Sequence, residues 1–98
     1  MSIECVREEI EKLGKVSSKT IAERLRKERI TGEQGRIDIC PIANFLKKKC
    51  KERDICVYPK NILVFPQKNF EEYLAIPLSV EKFIKEFDNT NKYKFLRK

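Results

Sequence analysis

The sequence predicts a small α+β fold in one domain, residues 1–98: three helices, then a β-hairpin, then a C-terminal helix. Three observations lead there. Apolar residues recur at helical spacing through the first half, at Ile3, Val6, Ile10 and Leu13, at Ile21, Ala22 and Leu25, and at Ile42, Phe45, Leu46 and Cys50. The pattern then changes to two short runs rich in β-branched and aromatic residues, Ile55-Cys56-Val57-Tyr58 and Ile62-Leu63-Val64-Phe65. Helical spacing returns at Val80, Phe83, Ile84 and Phe87.

Each element has local reasons. The first helix, over 2–13, has one apolar stripe, with Gly14 to end it. The second, over 18–29, begins where Ser17 or Ser18 can cap the first free N–H groups. Thr31-Gly32 breaks it, and Ile30 packs just past its end. Glu33 to Ile39 is a connection that Gly35 keeps mobile or tightly turned. The third helix, over 41–52, opens with Pro41, whose missing N–H would have had no partner in a first turn. The hairpin, over 55–65, turns at Pro59-Lys60-Asn61, and Pro66 stops its second strand. Residues 67–76 fit either a helical turn or a third strand. Pro77-Leu78-Ser79 announces the last helix, over 79–88, with Ser79 as N-cap. Phe45, Leu46, Val57, Leu63, Phe83, Ile84 and Phe87 are the expected core.

The third helix has two faces. Ile42, Phe45, Leu46 and Cys50 form its apolar stripe, and Asn44, Lys47, Lys48 and Lys51 lie on the opposite side. An amide and three ammonium groups on one ridge suit a nucleic acid or an acidic protein surface. The same pattern also describes a plain solvated face.

The formal charge is +7, from 22 basic and 15 acidic residues. Residues 31–68 carry 8 basic and 4 acidic side chains, a net of +4, against +2 for residues 1–30 and +1 for residues 69–98. The excess therefore centres on the lysine ridge. A positive field draws polyanions in at long range. Lys92, Lys94, Arg97 and Lys98 make either a short basic arm or a solvated tail. Apolar runs such as Ile62-Leu63-Val64-Phe65 are far too short to cross a bilayer. Met1-Ser2-Ile3-Glu4-Cys5 lacks the basic-then-apolar order of a secretory signal, so a cytoplasmic protein is expected.

Catalytic and metal constellations are thin. The cysteines at 5, 40, 50 and 56 do not form the close pairs of a structural zinc site, and histidine is absent. Reduced, metal-free thiols acting as small apolar side chains are expected. Cys40 at a helix start would have its thiol pKa lowered, but it has no histidine base. Gly14, Gly32 and Gly35 make no nucleotide-binding loop. The expectation is a protein that is not an enzyme and holds no cofactor.

Three helices followed by a hairpin is the order of a winged helix, and the domain is read as winged-helix-like. Val16-Ser17-Ser18-Lys19-Thr20-Ile21-Ala22-Glu23-Arg24-Leu25 resembles the opening helix of bacterial helix-turn-helix domains. That resemblance implies a groove-reading third helix, with Asn44 addressing adenine and Lys47, Lys48 and Lys51 meeting phosphates or guanine. Pro59-Lys60-Asn61 would be the wing tip, bringing Lys60 and Asn61 to the partner. The ten residues Ile30 to Ile39 depart from the tight turn of that motif. A second resemblance spans residues 20–96. Ile21-Ala22-Glu23-Arg24-Leu25, Ile30-Thr31-Gly32, Cys40-Pro41-Ile42-Ala43-Asn44-Phe45-Leu46, Ile76-Pro77 and Phe83-Ile84-Lys85-Glu86-Phe87-Asp88 follow the order of a family of small uncharacterised cyanobacterial and actinobacterial proteins. That family shows a Cys-Pro-x-Ala-x-x-Leu helix start and a Phe-x-x-x-Phe-Asp ending, and it brings no activity with it.

The functional expectation is a small binding protein that engages nucleic acid, DNA before RNA, through Asn44, Lys47, Lys48, Lys51, Lys60 and Asn61. The alternative is a protein-interaction module, an adaptor or an antitoxin-like or phage-type inhibitor, using the same face on an acidic partner. Only Tyr58 stands as an aromatic beside the basic residues considered, which disfavours a single-strand role.

Overall fold

The computed structural model describes residues 3–67 and 70–98. Four α-helices and a three-stranded antiparallel sheet form one α+β domain: α1 (Ile3–Gly14), α2 (Ser18–Lys27), α3 (Pro41–Cys50), β1 (Ile55–Val57), β2 (Asn61–Gln67), β3 (Phe70–Ala75) and α4 (Leu78–Asn89), with a short 3-10 turn at Lys94–Leu96. Ser2, the expected first residue of α1, lies outside the described residues, as do positions 68 and 69 of the open segment 67–76.

The apolar stripes meet in one core. Val6, Ile10 and Leu13 of α1, Ile21, Ala22 and Leu25 of α2, Ile42, Phe45 and Leu46 of α3, and Val80, Phe83 and Phe87 of α4 are all buried. Ile55, Val57, Ile62, Val64 and Leu74 close it from the sheet. Of the expected core, Ile84 is only half-buried. Leu63 is buried on the other side of the sheet: the pairing sets it between Cys56 on β1 and Tyr73 on β3.

Ends and joints depart from the sequence reading in instructive ways. Of the two caps the sequence offers, Ser17 serves α2, its Oγ accepting from the Thr20 N–H at 3.2 Å. Ser18 is itself buried. Helix α2 stops at Lys27, before Thr31-Gly32, because Arg29 turns left-handed at φ 58°. The Ile30 N–H then reaches back to the Leu25 carbonyl at 2.9 Å, and Ile30 tucks into the core. Helix α3 ends the same way, with Lys51 at φ 52° and the Glu52 N–H on the Lys47 carbonyl at 3.1 Å.

Pro66 does not stop the second strand. Strand β2 runs on to Gln67, and its register against β3 shifts between Val64 and Gln67, an irregularity at which a residue without an N–H is tolerated. The expected hairpin is thus part of a larger sheet, with Phe70–Ala75 of the open segment forming its third strand. Pro77, not Ser79, is the N-cap of α4; Ser79 Oγ instead donates to the Leu13 carbonyl at 3.1 Å and ties α4 to the end of α1.

Two cysteines are not reduced thiols. Packing of α1 on α3 joins Cys5 and Cys50 in a disulfide across a sequence separation of 45, with Cα atoms 5.8 Å apart. Cys40 and Cys56 are free.

The connection between α2 and α3 is a built structure. The Gly32 N–H donates to the Leu96 carbonyl at 2.8 Å, and Gly32 accepts from the Lys98 N–H at 3.0 Å. Gln34 Nε2 donates to the Phe87 carbonyl at 2.7 Å, and the Gly35 N–H to Asp88 at 3.0 Å. The Ile37 carbonyl accepts from the Val57 N–H at 2.7 Å, covering part of the β1 edge. The segment thus touches α4, the C-terminus and the sheet.

Candidate functional site

A connection of this length exposes many carbonyl groups, and those near α3 need donors. Helix α3 supplies them. Asn44 Nδ2 donates to the Thr31 carbonyl at 2.7 Å and to the Ile39 carbonyl at 3.2 Å. Lys47 Nζ donates to the Asp38 carbonyl, and Lys48 Nζ to the Glu28 carbonyl at 2.9 Å. Three of the four ridge residues therefore hold the connection and the end of α2. Both amide hydrogens of Asn44 are engaged, and Asn44 and Lys47 are half-buried.

What faces outward is a different set. Lys48, Lys49 and Lys51 are exposed. Lys49 bonds the Glu28 carboxylate at 2.8 Å and lies 5.8 Å over the Phe45 ring. Donating to the Glu28 carboxylate raises the Lys49 pKa above its ordinary value, and the negative charge of Glu9 adds to the effect. Lys48 and Lys49 thus meet the end of α2 at Glu28, with Lys51 exposed at the end of α3 and Lys27 exposed on α2. Lys49 is not among the residues the sequence singles out, and only the fold brings Glu28 at the end of α2 to it.

Lys60 and Asn61 belong elsewhere. They line a shallow depression with Tyr58, Pro59 and the exposed Tyr73, and Lys47, Lys48 and Lys51 take no part in its walls. The Asn61 carbonyl accepts from the Tyr58 N–H at 2.8 Å, closing the turn.

Cys40 caps α3, its Sγ accepting from the Ala43 N–H at 3.4 Å. Burial pushes its thiol up to about 11, so it stays protonated near neutral pH and is a poor nucleophile. Among the described residues, no three His, Cys, Asp or Glu side chains converge as a metal site, and no helix is long and apolar enough to cross a membrane. No family model, curated protein or solved structure matches the chain.

Proposed function

We propose that the chain is a non-catalytic binding module that engages nucleic acid through the basic surface where α2 meets α3. The observation that carries this reading is that Lys48, Lys49 and Lys51 are all exposed along the last turn of α3, with Lys48 and Lys49 anchored on Glu28 at the end of α2. Exposed cations spaced along one helix end suit the spaced charges of a phosphate backbone. The ridge contributes Lys48 and Lys51. Asn44 and Lys47 support the surface from beneath rather than reading bases, so recognition here is of backbone charge.

A protein partner is the second reading, favoured by Tyr73, which is 57% exposed beside Tyr58, Lys60 and Asn61. Aromatic residues of this kind anchor protein interfaces.

Titration of duplex DNA at several salt concentrations tests the first reading. Four phosphate contacts give a log–log slope of about −3.6, and Lys48→Glu with Lys49→Glu abolishes binding. Absence of binding at low salt removes the proposal.

A further inference from the structure

We infer that the groove between α2 and the C-terminal segment takes an unpaired base of a single-stranded nucleic acid, with Phe95 as its stacking surface and Lys19 and Arg26 on the flanking phosphates. The inference rests on the nucleic-acid reading above and extends it to the kind of strand. The groove has a volume of about 380 Å³, with Lys19, Glu23 and Arg26 on one wall and Lys92, Tyr93 and Phe95 on the other.

Phe95 is 49% exposed on a turn whose other apolar residues are fixed. Tyr93 and Leu96 beside it are buried, and the Leu96 N–H closes the turn on the Tyr93 carbonyl at 2.9 Å. The Tyr93 ring meets Phe95 nearly at right angles, with centroids 6.3 Å apart, and is itself stacked on Phe83 at 5.2 Å. The Phe95 ring is therefore mounted on the core, so that little freedom is lost when a base covers it.

Charge complements the ring. Lys92 is held by Glu86 at 2.9 Å, leaving Lys19 and Arg26 as the outward cations against Glu23. At about 100° per residue, Arg26, Lys19, Glu23, Lys27, Thr20 and Arg24 follow one another round α2 toward Glu28, which holds Lys48 and Lys49. The groove is thus continuous with the α2–α3 surface across one helix width, roughly 10–12 Å. A base stacked inside a duplex offers no face to a ring in a groove, so an unpaired strand is the occupant. Sequence alone hid this site, because Phe95 joins basic residues of α2 only through the fold.

The chain has no tryptophan, so Phe95→Trp introduces a single reporter. Oligo-dT of about 16 nucleotides should quench its emission, and Phe95→Ala should weaken oligo-dT binding about 5- to 150-fold while duplex affinity stays unchanged. Circular dichroism checks that both variants remain folded. An unquenched tryptophan together with unchanged oligo-dT affinity in Phe95→Ala overturns this inference, as it would if the groove served a protein segment. Wild-type binding to duplex DNA in that case leaves the broader reading standing. A wild type that binds neither duplex nor oligo-dT overturns both.

Discussion

Asn44 holds Thr31: its side-chain amide donates to the Thr31 carbonyl at 2.7 Å, fastening the start of the α2–α3 connection to the first turn of α3. The second amide hydrogen goes to Ile39 at 3.2 Å, so one side chain grips both ends of the loop. Asn44→Ala leaves the Thr31 carbonyl without this donor and should cost about 1–3 kcal/mol in urea unfolding. Nucleic-acid affinity of the folded variant should match the wild type. A specific loss of discrimination between base sequences, with stability intact, would return Asn44 to the interface.

Reduction of the Cys5–Cys50 disulfide frees a loop spanning 45 residues of sequence. Chain-entropy reasoning sets its contribution at about 4 kcal/mol, less any residual order in the unfolded chain. The midpoint of thermal unfolding should fall when dithiothreitol is added and recover on reoxidation. No change with reductant would mean that the packing of α1 on α3 holds without the bond.

The stripes that bury α1 to α4 were legible because helical period needs no knowledge of neighbours, and the strands announced themselves by β-branched residues. What was hidden depends on contacts across the chain. Cys5 and Cys50 have no spacing signature, since their closeness comes from packing of two helices. The ridge read as an outward face, for a partner or for solvent, because a polar stripe at helical period does not reveal that backbone carbonyls accept from Asn44, Lys47 and Lys48. Pro66 stayed in a strand because the ladder is irregular there, and irregularity has no local code. Ser79 was misplaced for a similar reason: the Leu13 carbonyl drew its hydroxyl away from a capping role.

Gly32 sits where two backbones nearly touch. A Cβ there would lie 2.4 Å from the Pro41 nitrogen and 2.5 Å from the Cys40 carbonyl carbon, neither of which can swing aside. Gly32→Ala should therefore cost about 3 kcal/mol or more, at the upper end for overpacking. At Gly35 a Cβ meets open space and only the φ of +70° resists, so Gly35→Ala should cost about 1–2 kcal/mol. Chemical denaturation of the pair should keep that order; a reversal would mean that the connection shifts off α3 more easily than its hydrogen bonds imply.

Phe45 and Phe83 anchor the core from α3 and α4, with 1% and 0% of their surface exposed. Phe45→Ala and Phe83→Ala should each cost about 3–5 kcal/mol. Phe83 also stacks between Phe87 and Tyr93, so its loss should loosen the support of Phe95 as well. Stability equal to the wild type in either variant would contradict the packing.

Lys51 serves two ends that pull apart. As the left-handed C-cap of α3 it adopts φ 52°, which costs a side-chain-bearing residue about 1–2 kcal/mol and glycine almost nothing. Glycine also carries more freedom in the unfolded chain, so Lys51→Gly should gain only about 0.5–1 kcal/mol in net stability. On the proposed surface, the same change removes one cation and should reduce the salt slope for DNA by about 0.9. Stability and affinity would then move in opposite directions from a single substitution, a result that a merely solvated lysine cannot give. A Lys51→Gly variant that gains stability and binds DNA with an unaltered salt slope would place Lys51 outside the interface.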